Sequence, residues 1–160
     1  MNPLHHREAG VVGAVLEIDD VSCDIIADLI HIHPSFFKLL YRVKKEQIIL
    51  ITDAMRAGCM KCGVSEIGGQ KVRVKDGEAR LEDGTLAGSV LKLNDALKNF
   101  YKHTEISLPE LINMVTTIPA KKLGLNVGVL EKGYMADLVL FDKSFGVYES
   151  YINGVKTKVR

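Results

Sequence analysis

The sequence predicts an α/β fold followed by a small antiparallel sheet, and three observations carry that reading. Gln47-Ile48-Ile49-Leu50-Ile51-Thr52-Asp53 holds an unbroken Ile/Leu run, the composition of a strand covered on both faces within a parallel sheet. A second apolar run, Cys23 to Ile30, precedes it, and helix-spaced apolar residues lie between the two, which makes a strand–helix–strand unit. From Gly128 onward the pattern changes to short strands, with Asn153-Gly154 as the tight turn between the last two.

Taken in order, Ala9 to Leu16 is compatible with a helix, and Cys23 to Ile30 is the first strand, ending at His31. Pro34 occupies a first-turn position, and Phe36, Phe37, Leu40 and Val43 follow at helical spacing. The Ile48 strand then ends at Asp53. Lys71 to Lys75 alternates with period two, Asp76-Gly77 is a type I′ hairpin signal, and Glu78 to Leu81 alternates again, which predicts a solvent-facing hairpin near 70–82. A helix over Val90–Tyr101 would place Val90, Leu93, Leu97 and Phe100 on one face. Ser107-Leu108-Pro109-Glu110 has capping-box spacing for another, which Thr117 and Pro119 should end or kink, with Gly124 as a C-cap. Strands over Ala136–Phe141, Val147–Ile152 and Val155–Val159 complete the chain. Residues 1–127 thus read as the α/β portion and 128–160 as a separate small sheet, without internal repeats.

With 160 residues, 47% of them hydrophobic, the chain can bury a sizeable core. A charged fraction of 26% and a formal net charge of +1 give no electrostatic reason to expect nucleic acid or an anionic membrane as partner. The N-terminal MNPLHHREAG lacks the apolar region of a signal peptide, and Asp28 and His31 interrupt the longest apolar stretch, so a cytoplasmic location is expected. Three cysteines, Cys23, Cys59 and Cys62, are read as reduced thiols. Cys59-Met60-Lys61-Cys62 has C-x-x-C spacing, yet no second pair of ligands accompanies it as a structural zinc site requires.

Polar residues at the ends of apolar strands are the candidates for chemistry, because active sites of parallel α/β folds lie at the carboxyl ends of the strands. Asp53 follows the Ile48 strand directly and His31 follows Ile30 in the same way. Two readings stand for each. Asp53 is either a metal ligand or general base, or the N-cap of the next helix, and His31 is either a functional residue facing the same pocket or a satisfied structural residue. His33 reads as a cap for the helix at Pro34, His5 and His6 as solvated, and His103 as a cation at a helix C-terminus.

Several of these stretches occur together in one order. They are Arg7-Glu8-Ala9-Gly10, Ala27-Asp28-Leu29-Ile30-His31-Ile32-His33-Pro34, Thr52-Asp53-Ala54-Met55, Asp83 to Ser89 with Leu86-Ala87-Gly88-Ser89, and Gly128 to Val139 followed by Ile152-Asn153-Gly154. The set resembles the C-terminal part of the N-acetylglucosamine-6-phosphate deacetylase family of amidohydrolases. The last stretch is shared widely among amidohydrolases, whereas the Arg7 and Leu86 strings narrow the resemblance to the deacetylases. It implies the last two strands and helices of a (β/α)₈ TIM-type barrel plus part of a small β-sandwich, in a cytoplasmic homodimer. The implied reaction is hydrolysis of a linear amide, converting N-acetylglucosamine 6-phosphate to glucosamine 6-phosphate and acetate.

The resemblance also assigns roles. Asp53 would take a proton from a metal-bound water and deliver it to the leaving amine, and His31 would hydrogen-bond the substrate. Arg7 would bind the 6-phosphate, possibly across a dimer interface, and Leu86 to Ser89 would form a loop over the sugar. The family's metal ligands, a Glu and two His, lie on earlier strands, and Met1 falls where the Met of an Asn-Ala-Met motif beyond the last of them would be. The divalent metal of the complete enzyme, zinc or iron, is therefore not expected to bind this chain tightly, and the chain alone is expected to be catalytically incomplete. Leu29 stands where the family usually has Gly. Two alternatives remain beside this reading: a non-catalytic oligomeric or sugar-phosphate-binding remnant, and a part of another amidohydrolase.

Overall fold

The computed structural model describes residues 2–59 and 62–158. Helix α1 (Gly10–Glu17) leads to strand β1 (Cys23–Ile26), helix α2 (Ser35–Lys44) and strand β2 (Ile48–Ile51). β1 and β2 pair in parallel, Cys23 opposite Ile48 and Ile26 opposite Ile51, so the βαβ unit is present. Ile48 and Leu50 are buried and Ile49 and Ile51 half-buried, so the two faces of β2 are covered unequally rather than fully.

β1 stops at Ile26, short of the Ile30 that composition predicts. The cause is local: Asp28 draws the backbone N–H groups of Ile30 and His31 onto its carboxylate, and Leu29 turns to φ 70°. An Asp that satisfies the backbone within its own loop competes with strand pairing.

The buried stripe of α2 also differs from the expected one. Phe37 and Lys44 are buried, with Leu40 and Tyr41 half-buried between them, while Phe36 and Val43 are exposed. The stripe keeps helical spacing but ends on a lysine. The Lys44 ammonium donates to the carbonyl oxygens of Ile18 (2.6 Å) and Asp19 (3.5 Å), at the C-terminal end of α1, while its stem lies within the fold.

Beyond residue 62 the chain forms β3 (Gly63–Ile67), β4 (Gln70–Lys75), β5 (Glu78–Leu81) and β6 (Leu86–Ser89), an antiparallel meander in sequence order. Asp76 and Gly77 adopt φ of 53° and 83°, as the type I′ turn demands. The hairpin is not merely solvent-facing. Val72, Val74 and Ala79 bury one face with Ala57 and Ala87, while Lys71, Arg73 and Lys75 line the open face. Leu86-Ala87-Gly88-Ser89 is accordingly a strand and not a loop.

Three helices follow: α3 (Leu93–His103), α4 (Leu108–Asn113) and α5 (Thr117–Leu123). α3 starts after Val90 and buries Ala96, Leu97 and Phe100, leaving Leu93 exposed. Phe100 stacks on Phe37 with ring centroids 5.3 Å apart, joining α3 to α2 over the buried side of the parallel pair. At α4, Glu110 accepts the Ser107 backbone N–H (3.2 Å) and the Ser107 hydroxyl. That hydroxyl and the Tyr41 hydroxyl hold the Glu110 carboxyl below its usual range. The chain breaks at Met114–Thr116 and begins α5, with Pro119 in its first turn, where no intrahelical N–H is needed. Gly124 closes α5 in the left-handed conformation, φ 65°.

The final strands β7 (Leu138–Phe141), β8 (Val147–Ile152) and β9 (Val155–Thr157) make a separate three-stranded antiparallel sheet. Asn153 and Gly154, at φ 50° and 75°, form the predicted turn. The end of the last predicted strand, Val159, lies outside the described residues. Buried Phe145 ties this sheet to α3, its ring against Phe141 and its carbonyl accepting from Asn94 Nδ2 at 3.0 Å. Among the described residues no helix is long and apolar enough to cross a membrane.

Candidate active site

Parallel pairing puts the carboxyl ends of β1 and β2 at the same edge, so the segments carrying His31 and Asp53 leave the sheet side by side. Each is held in its own way.

His31 lies not at the strand end but in the turn after it. Its Nδ1 is 2.7 Å from Asp28 Oδ2, and its backbone N–H donates to Asp28 Oδ1 at 2.9 Å. The Asp28 side chain is only 7% exposed and the imidazole 20%. One residue earlier, the Ala27 carbonyl accepts Asn99 Nδ2 of α3 at 2.8 Å, which pins the turn to the core. Asp28 belongs to the Ala27–Pro34 stretch, and composition alone assigns it no role. The signal that could have found it is a carboxylate three residues before a histidine in a stretch predicted to be strand.

Asp53 follows β2 with φ 47°, in the left-handed region that Asp enters more readily than most non-glycine residues. Its carbonyl accepts the Ser89 N–H (3.0 Å), the Met55 N–H returns to the Ser89 carbonyl (3.0 Å), and Ala54 bridges Ser89 in parallel sense. The buried Ser89 hydroxyl donates to the Thr52 carbonyl and accepts the Leu91 N–H at 3.1 Å. β6 is therefore stitched to the Asp53 turn by its backbone. Gly88, at φ 75°, lies under it: a Cβ there would sit 3.2 Å from the Asp53 carbonyl oxygen and 3.8 Å from Oδ2. Asp53 itself is exposed, and among the described residues its carboxylate has no hydrogen-bond partner. The cap on the N–H of Ala54 comes instead from Thr52 Oγ1 (3.3 Å). That arrangement does not make Asp53 a helix cap and leaves its carboxylate free for proton transfer.

The other candidates are dispersed. Arg7 is exposed and its described contacts are local, with the His6 ring (3.0 Å) and the His5 ring (3.3 Å). Leu86 is half-buried in β6, opposite Arg80. His33 is not the cap of α2, whose N-cap is Pro34; its Nδ1 makes a local contact with the Ser35 hydroxyl at 2.8 Å. A cavity of about 810 Å³ opens on the four-stranded sheet among Val64, Lys71, Arg73, Arg80 and Leu81; Asp53, His31 and Arg7 are not in its walls.

For a metal, the donor set does not fit. Among the described residues no group of three His, Cys, Asp or Glu side chains converges. His31 already spends one nitrogen on Asp28, and Asp53 stands alone. Of the C-x-x-C stretch, Met60 and Lys61 lie outside the described residues. Cys23 and Cys62 are free thiols, and burial pushes the Cys23 thiol up, which keeps it protonated and inert.

Residues 5–159 match the amidohydrolase family. The chain is 42% identical over 152 residues to N-acetylglucosamine-6-phosphate deacetylase of Lysinibacillus sphaericus, covering 94% of this chain and 39% of that one. It is 38% identical over 156 residues to a putative N-acetylgalactosamine-6-phosphate deacetylase of Escherichia coli K12, covering 96% of this chain and 93% of that one. Among solved structures, N-acetylglucosamine-6-phosphate deacetylase of Thermotoga maritima superposes with a TM-score of 0.91 at 43% identity, over 97% of this chain and 43% of that one. The chain thus spans about two fifths of the Lysinibacillus and Thermotoga enzymes and nearly all of the Escherichia relative.

Proposed function

The chain belongs to the amidohydrolase family, and on that premise we propose that it carries the acid/base and substrate-facing portion of a deacetylase acting on N-acetylglucosamine 6-phosphate. One observation carries the reading: parallel pairing brings the His31 turn and the free carboxylate of Asp53 out of one sheet edge, with β6 laid against Asp53. In this reading β1 and β2 are the last two strands of a (β/α)₈ barrel over residues 1–127, and β7 to β9 are part of a small β-sandwich over 128–160.

The chemistry assigned to this chain's residues is proton transfer and positioning. Asp53 accepts a proton as water attacks the acetamide carbonyl, then returns it to the nitrogen as the C–N bond breaks, releasing acetate and the free amine. His31 hydrogen-bonds the sugar, Arg7 takes the 6-phosphate of its own or a partner subunit's substrate, and Leu86 lies over the ring. A zinc or iron ion in a complete enzyme of this kind would need donors that the described residues do not bring together, and no step above passes through it. We place the protein in the cytoplasm as a homodimer.

The test is a chimera in which this chain replaces the matched segment of the Thermotoga maritima enzyme. Release of acetate from N-acetylglucosamine 6-phosphate, or from its galactosamine counterpart, supports the reading. A folded chimera silent on both sugars defeats it. A non-catalytic sugar-phosphate-binding role is the alternative. Heat on titrating the chain with glucosamine 6-phosphate, together with a silent chimera, would select that role.

A further inference from the structure

We infer that Asp28 is a positioning residue that sets the tautomer of His31: whenever the ring is neutral its proton lies on Nδ1, and Nε2 is left to meet a ligand as a hydrogen-bond acceptor. The inference deepens the proposed function and rests on it for the identity of the ligand, though not for the state of the ring.

The argument starts from the inventory of protons. Asp28 Oδ1 takes two backbone N–H groups, from Ile30 and His31, each at 2.9 Å. Oδ2 lies 2.7 Å from His31 Nδ1. A carboxylate offers lone pairs only, so the proton in that last contact belongs to the imidazole. A neutral imidazole has a single N–H, and with that proton on Nδ1 the nitrogen left for a ligand is Nε2, carrying a lone pair. It will take a donor, a sugar hydroxyl or the amide N–H, and in its neutral state refuses a carbonyl oxygen.

The surroundings make the arrangement rigid. Ala27 is fully buried and its carbonyl is held by Asn99 of α3, Leu29 is turned to φ 70°, and Asp28 is almost entirely withdrawn from solvent. The two backbone hydrogen bonds shape the turn, and an asparagine could keep both. The third contact is different: it needs an acceptor opposite Nδ1. A purely structural role for Asp28 would not depend on it, and that separates the two explanations.

The experiment uses the whole chain labelled with ¹⁵N, under mildly alkaline conditions where a histidine ring is neutral. Two-bond ¹H–¹⁵N correlations read the protonated nitrogen of His31, identified by the signal lost in His31→Gln. The expected result is Nδ1–H with bare Nε2 in the natural chain. In Asp28→Asn the amide NH₂ faces the ring, so Nδ1 must accept and the proton should move to Nε2, with amide dispersion unchanged. Nε2–H in the natural chain would overturn the inference without recourse to any variant, and so would an unchanged tautomer in folded Asp28→Asn. N-acetylglucosamine 6-phosphate is then added. A shift of the Nε2 signal in the natural chain, lost in Asp28→Asn, supports both readings. The expected tautomer with no response to the sugar upholds the assignment of Asp28 and counts against the proposed substrate.

Discussion

The two arms of the candidate site are built on opposite plans. The His31 arm is made mostly within a few residues of chain: Asp28 takes two backbone N–H groups of the turn and holds the ring, with one tie from Asn99 of α3 to the Ala27 carbonyl. The Asp53 arm is made by residues more than thirty positions away, through backbone pairing with Ser89 and the absence of a side chain at Gly88. The first arm orients a side chain by engaging it. The second leaves the Asp53 carboxylate without a partner among the described residues while forcing its backbone into place, which suits the proton-transfer role proposed for it. Substitution of Asp28 should therefore alter one side chain, and substitution of Gly88 or Ser89 should alter the fold around Asp53.

Four substitutions press on this contrast. In the active chimera, Asp53→Asn should lower kcat about 100- to 10,000-fold, the range of a lost general acid/base, with unchanged melting behaviour; activity within a few-fold of the parent would remove Asp53 from the mechanism. Gly88→Ala should destabilise by about 1–3 kcal/mol, since it adds a Cβ to a left-handed residue and crowds the Asp53 carbonyl. Urea unfolding of the chain measures it, and a loss no larger than that of an exposed control would show that the arm tolerates movement. Ser89→Ala should cost about 1–2 kcal/mol, because the Leu91 N–H loses its acceptor and the Thr52 carbonyl its donor. Leu29→Gly should move stability the other way by about 0.5–1 kcal/mol, as relief of the left-handed strain exceeds the entropic penalty of glycine. A fall in the unfolding midpoint would mean that the Leu29 side chain contributes more than its backbone strain costs.

The sequence-based reading was strongest where the physics is local or periodic. The Ile48 run gave a parallel strand, Asp76-Gly77 and Asn153-Gly154 gave their turns, and Ser107 to Glu110 gave the capping box. It failed at particular residues for particular reasons. Lys44 hid the buried stripe of α2 because a charged residue at its end looks like a surface position until the Ile18 carbonyl appears beside it. Asp28 hid the end of β1 because its neighbours are as apolar as those of a strand. The resemblance implied a loop over Leu86 to Ser89, yet the segment is a strand that pairs with β5 on one side and is bridged at Ser89 by Ala54 on the other.

By itself the order of residues determined that two apolar strands flank a helix, that Asp53 stands directly after the second, and that the C-terminal strands form a sheet of their own. Those outcomes follow from hydrophobic period and from donors and acceptors a few residues apart, which a linear string contains. Tertiary structure alone decided that β6 would lie against the Asp53 turn, that Ser89 would hold it, and that Gly88 would leave room beneath it. Pairing between distant backbones is chosen by which edges remain free once the nearer elements have packed, and backbone N–H and C=O groups are the same at every residue, so the string cannot say where they will meet.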